Sequence, residues 1–160
     1  MRVDSFRFLV GPLILVLAAA GSAAAQENTL EGTWVLDVKA SNNVPESQKG
    51  VDLKIALHDN QMSLARFVGE KAIGEPLSFK LDGVGRAQNL NGQRATLRAK
   101  WLTPEKKFEM VVSMPQADSL IILVQTVVTE ISPTGGTMSR NYVTRRDKDR
   151  EDRLLVYRRK

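Results

Sequence analysis

The stretch Leu30-Glu31-Gly32-Thr33-Trp34-Val35-Leu36-Asp37-Val38-Lys39 opens the folded part of the chain. From Gly32 it alternates. Trp34, Leu36 and Val38 share one face; Thr33, Val35, Asp37 and Lys39 share the other. Period two is the pattern of a half-buried strand. Gly32 lets the backbone pass close to a neighbour. Trp34 brings a large apolar area, and its indole N–H needs an acceptor once buried. Ser41-Asn42-Asn43-Val44-Pro45 breaks the pattern, and a loop runs to Gly50.

What precedes this stretch reads as a leader. Arg2 and Arg7 supply positive charge, Phe8 to Ala20 form an apolar run, and Gly21-Ser22-Ala23-Ala24-Ala25 offers small residues for cleavage before Gln26. The alternative is an uncleaved membrane anchor, which the Ala, Gly and Ser of its second half disfavour. Residues 1–25 are therefore expected to be a signal peptide and residues 26–160 one domain, placed in the periplasm or secreted. The sequence has no cysteine. A lipoprotein attachment, a disulfide framework and a thiolate metal site are thereby excluded.

Beyond Gly50 the alternation recurs. Val51, Leu53, Ile55 and Leu57 face one way, with Asp52, Lys54, Ala56 and His58 opposite. Asp59-Asn60 is a tight-turn pair, and Gln61 to Val68 returns as the hairpin partner. Further strands are expected over Leu77–Leu81, Ala95–Trp101, Phe108–Met114, Leu120–Thr129, Thr137–Thr144 and Leu154–Arg158. Leu120–Thr129 is apolar on both faces, which suggests cover on its outer side. Arg145–Asp152 is all charged and reads as a loop or a single helical turn. No amphipathic helix is found. The expectation is an all-β fold: one antiparallel up-and-down meander of eight or nine strands, closed or nearly closed into a barrel to protect its edges.

Gly32-Thr33-Trp34, with Leu30 before it and Leu36, Asp37 and Ser41 after it, resembles the opening of the calycin proteins, namely lipocalins and fatty-acid-binding proteins. It is most similar to the small secreted lipocalin-like proteins of bacteria, which close on a strand like Val156-Tyr157. The resemblance implies that Gly32 and Trp34 build a closed barrel end and that an arginine of the last strand lies over Trp34. Arg153 and Arg158 are the candidates, and Arg158 is taken as the expected partner.

Arg140-Asn141-Tyr142 is the sharpest candidate for chemistry. Its spacing puts Met138, Arg140 and Tyr142 on one strand face. If that face points inward, a guanidinium and a phenol can hold a carboxylate by charge-assisted hydrogen bonds. Fatty-acid-binding proteins use a similar Arg-x-Tyr pair, although here a further strand follows it. The competing reading is a solvated strand with an exposed arginine. His58, the single histidine, reads as an exposed turn-flanking residue, because Asp59 is expected on the opposite face.

No metal site, cofactor loop or catalytic constellation stands out, so an enzyme is not expected. The chain carries a formal charge of +5, and much of it sits in Arg145–Lys160. That run reads either as attraction to an anionic lipid surface or as a charged guard on an edge strand, with interleaved Asp147, Asp149, Glu151 and Asp152 favouring the guard. Nucleic acid is not an expected partner. The expected function is binding of a small apolar or amphipathic ligand in the barrel. The alternative is an envelope interaction module whose barrel is filled by Phe79, Trp101, Phe108, Met110 and Met114.

Overall fold

The computed structural model describes residues 28–90, 92–116 and 122–160. The expected leader, the tip of the turn at Asn91 and the turn through Ser119 fall outside these residues. The strands are β1 (Gly32–Leu36), β2 (Val51–His58), β3 (Gln61–Val68), β4 (Lys71–Ala72), β5 (Leu77–Lys80) and β6 (Arg86–Leu90). They continue as β7 (Gln93–Thr103), β8 (Lys107–Pro115), β9 (Ile122–Ile131), β10 (Thr137–Arg146) and β11 (Asp149–Arg159). A single 3-10 turn, Glu46–Gln48, is the only helical piece among the described residues.

All pairings are antiparallel, in the order β4-β3-β2-β1-β11-β10-β9-β8-β7-β6, with β5 also on β3. The last strand thus lies beside the first. No continuous ladder joins the two ends of this order. Across the gap, Asp82 bridges Lys100, the Gly83 N–H donates to the Ala99 carbonyl at 2.7 Å, and the Gln88 side chain donates to the Ser78 carbonyl at 3.1 Å.

Eleven strands replace the eight or nine expected, and the differences have physical causes. β4 and β6 are short pieces without clean alternation, held by their partners β3 and β7. β1 stops at Leu36 rather than Lys39, because the Asp37 carboxylate turns the chain by accepting from the Lys39 and Ala40 N–H groups, each at 3.1 Å. Val38, expected inside, is consequently exposed. The charged segment is neither loop nor helix: β10 and β11 pair through Arg146 and Asp149 around a two-residue turn at Asp147-Lys148. Its side chains sit in water while its backbone satisfies itself in the ladder.

The Asp59-Asn60 turn forms as expected, with φ of 45° and 62°. On β9, Val124 and Val128 of the outer face are half-buried, and Thr126 between them is in register with Val111 and Val143. The apolar outer face is therefore shared by three strands.

The core gathers on the concave face. Trp34, Phe108, Leu30, Ile55, Met62, Met138 and Leu155 are fully buried. Toward the end where β1 begins, Phe108 meets Phe79 at 6.0 Å and Trp101 edge-on at 6.1 Å.

Candidate functional site

Two constellations share the inner face, and both are set by strand parity. The first closes one end. Trp34 is buried, and its indole N–H donates to the Leu30 carbonyl at 2.9 Å. Leu30 in turn is tied to the β7–β8 turn, its N–H donating to the Glu105 carbonyl at 2.9 Å.

The arginine over Trp34 is Arg159, not Arg158. Its Cζ lies 4.4 Å from the ring centroid. It also donates to the carbonyls of Glu31 (2.7 Å), Gly135 (3.0 Å) and Thr29. Trp34 is in direct register with Arg159, so the two share a face; Arg158 pairs with Val35 and points outward to Asp37 at 2.6 Å. Arg153 serves neither role and lies over Tyr142. Gly32 has φ +135°, and a Cβ there would stand 2.7 Å from an Arg159 nitrogen. That close approach accounts for glycine at this position.

Asp37 and Ser41 complete the clamp between first and last strands. Ser41 Oγ donates to the Asp37 carbonyl at 2.6 Å and accepts from the Val156 N–H at 2.9 Å. The Arg158 guanidinium, with the Ala40 and Lys39 N–H groups, holds the Asp37 carboxyl below the usual carboxylate range.

The second constellation is polar and lies deeper along β9, β10 and β11. Met138, Arg140 and Tyr142 are all buried, while Asn141 between them is exposed. Arg140 keeps only 6% of its surface exposed, and its Nε donates to the buried Thr129 hydroxyl at 3.3 Å. Among the described residues it makes no ion pair. Its Cζ lies 5.2 Å from the Tyr142 ring centroid, and that of Arg153 lies 5.8 Å from the same ring.

Arg153 pairs with Glu151 at 2.7 Å, yet its Nε is buried with no acceptor. Burial pushes the Tyr157 phenol well above its ordinary pKa, against the opposing pull of the Arg140 charge. Tyr157 is thus a neutral O–H donor beside a cation. Toward the β10–β11 hairpin the polar character continues, with Gln125 donating to Thr144 at 3.2 Å. A buried guanidinium without a counter-ion is costly. An anion placed among two guanidiniums, two phenols and a hydroxyl would relieve that cost.

The structure adds Thr129, Arg153 and Tyr157 to the group expected from Met138, Arg140 and Tyr142. The sequence signals for them are the hydroxyl of Thr129 on the same strand parity as Val127 and Ile131, and the alternation of Arg153, Leu155 and Tyr157. His58 is exposed as expected, but its imidazole meets the Asp59 carboxylate at 3.1 Å, because Asp59 already belongs to the turn and not to the strand. Among the described residues no group of three or more His, Asp or Glu is arranged to hold a metal ion.

Surface clefts occur among the described residues at two places. One, of about 590 Å³, lies outside the closed end between the β2–β3 and β7–β8 turns; the other, of about 390 Å³, lies at the β6–β7 hairpin. Neither touches Arg140.

No family model matches the sequence, and no curated protein does. Solved structures do match in fold. A SAHS (secretary abundant heat soluble) protein from Ramazzottius varieornatus aligns with TM-score 0.60 and 14% identity, over 82% of this chain and 95% of that one. Caenorhabditis elegans lipid binding protein 8 aligns with TM-score 0.58 and 14% identity, over 86% and 100%. A Schistosoma mansoni fatty acid binding protein in complex with arachidonic acid aligns with TM-score 0.54 and 14% identity, over 85% and 98%. With its meander order, its Trp34–Arg159 end and these likenesses together, the chain has the lipocalin-like, calycin-type fold.

Proposed function

We propose that the protein is exported and binds a small amphipathic molecule within its barrel, with an anionic head group, most simply a carboxylate, on Arg140 and Tyr142. The observation that carries the reading is Arg140: a guanidinium on the inner face, 6% exposed, with no ion pair among the described residues. Around it stand Thr129, Tyr142, Tyr157 and Arg153, and along the strand Met138 supplies apolar wall. Two of the matching structures are named for lipid or fatty acid binding, and one holds arachidonic acid. That likeness supports the ligand class without assigning it. Export to the periplasm or the medium rests on the charged, apolar and small-residue pattern of residues 1–25.

A second reading, an envelope module with a filled barrel, is favoured by the packing of Phe79, Phe108 and Trp101. Native mass spectrometry of the protein purified from its own host separates the two. A bound acidic lipid-like mass, lost in Arg140→Ala, supports the binder. A bare protein mass together with a captured protein partner supports the filled module.

A further inference from the structure

The outer face of β8, β9 and β10 is apolar at its centre. Val111, Val124, Val128 and Val143 stand on it half-buried, around Thr126. An antiparallel sheet with one wet face usually carries polar residues there. The main contacts of these three strands are with their ladder neighbours in the sheet, not with an element laid across this face.

Register gives the face an order. Arg98 is opposite Val111, Val111 opposite Thr126, Thr126 opposite Val143, and Val143 opposite Asp152. The row therefore runs from a cation, through valine, threonine and valine, to an anion. With strands about 4.8 Å apart it spans about 19 Å. Arg98 is exposed and makes no ion pair among the described residues. Asp152 is exposed too, and its carboxylate accepts from the Arg150 Nε at 3.0 Å.

This row is complementary to itself. A two-fold axis along β9 reverses the order of the strands and keeps the rows in place. It sets Arg98 of one copy against Asp152 of the other, and Val111 against Val143. Val124, Thr126 and Val128 then each meet their own copy. In the two flanking rows Glu109 meets Asn141 and Ser113 meets Arg145, so no like charges are opposed there. A two-fold axis along the row would instead set Arg98 on Arg98 and Asp152 on Asp152, which is unfavourable.

We propose that this outer face pairs two copies of the chain, sheet on sheet, about a two-fold axis along β9. Stacked sheets lie about 10 Å apart with strand directions within about 30° of each other. That separation leaves the ends of the row within reach of an arginine side chain. The apolar centre is small beside the roughly 800 Å² per partner of a standard interface, so the dimer is weak. The surface lies on the opposite face of the sheet from Arg140 and stands whether or not the interior binds an anion.

The test is sedimentation equilibrium of the protein and four variants, each checked for native circular dichroism. The unaltered protein should dimerise with a midpoint of about 100 μM at low salt. Thr126→Lys sets two ammonium groups together on the axis and should abolish the dimer. Arg98→Glu and Asp152→Arg should each weaken it about tenfold, because each opposes like charges across the interface. The combination of Arg98→Glu with Asp152→Arg exchanges the two ends of the row and should restore the affinity to within about threefold of the original. A monomer at every concentration up to about 1 mM, a dimer indifferent to Thr126→Lys, or a combined variant no tighter than its parents would each overturn the proposal.

Discussion

The guanidinium of Arg159 lies 4.4 Å over the Trp34 ring and, in the same pose, donates to carbonyls on both sides of it. One side chain of the last strand therefore ties down the first strand, the segment before it and the β9–β10 turn. The geometry is fixed by register: Arg159 is directly opposite Trp34, and Arg158 one residue earlier faces water.

Removing this residue should open the closed end. Arg159→Ala loses the stacked cation and the charge-assisted bonds to the Glu31 and Gly135 carbonyls, at a cost of about 2–4 kcal/mol. Arg159→Lys keeps a charge but not the fork, and should recover less than half of that loss. Arg158→Ala removes a guanidinium that is itself 70% exposed and leaves Asp37 its two backbone donors, so it should cost less than Arg159→Ala. Urea denaturation of the three variants checks the order.

Gly32 should resist substitution. At φ +135° an alanine Cβ strains the backbone and meets the held Arg159 guanidinium at 2.7 Å. Gly32→Ala should lower stability by about 1–3 kcal/mol. Gly50→Ala, also at positive φ but with nothing within 4 Å, should pay only the backbone strain and cost less. Equal losses in denaturation experiments would remove the contact from the explanation.

Acid should weaken the clamp between β1 and β11. The Asp37 carboxyl is held low chiefly by Arg158, and that of Asp82 chiefly by Arg86. A carboxyl whose pKa falls on folding stabilises the folded state above its unfolded value, and that stabilisation disappears as pH falls through the folded value. Stability should thus decline below the ordinary aspartate value of about 4. Asp37→Asn should flatten the decline in denaturation measured from neutral pH downward; an unchanged slope would exclude Asp37 as a contributor.

Alkali should act through Tyr157. Its phenol is pushed up on folding, first by burial. The stabilisation is complete below the unfolded value of about 10 and is lost as pH rises through the folded value. Ultraviolet titration should show one tyrosine ionising only as the protein unfolds, and Tyr157→Phe should remove that late step.

The strands most legible in the sequence were those with one wet face. Val51–His58 alternates cleanly, and Asp59-Asn60 announces its own turn. Arg86–Leu90 gave no such signal, because a short strand held by β7 needs no apolar alternation of its own. Residues 145–152 hid two strand ends, since charge reports solvent exposure and not backbone pairing. The early stop of β1 came from a side chain, Asp37, acting on the backbone.

The candidate site divides in the same way. Met138, Arg140 and Tyr142 sit on one strand, so parity alone places them together. Thr129, Arg153 and Tyr157 come from neighbouring strands, and their convergence depends on registers that no single sequence reveals. The same ignorance of register exchanged Arg158 for Arg159.

The central claim, an anion-binding arginine inside the barrel, is tested most directly by titrating the protein and its Arg140→Met variant with a dansyl-labelled fatty acid. Methionine suits the buried volume and removes the charge. Charge-assisted hydrogen bonds to a buried carboxylate are each worth about 1.5–3 kcal/mol, so the variant should bind about tenfold or more weakly while remaining folded by circular dichroism. Saturable binding of equal affinity in both proteins, or none in either, would contradict the account.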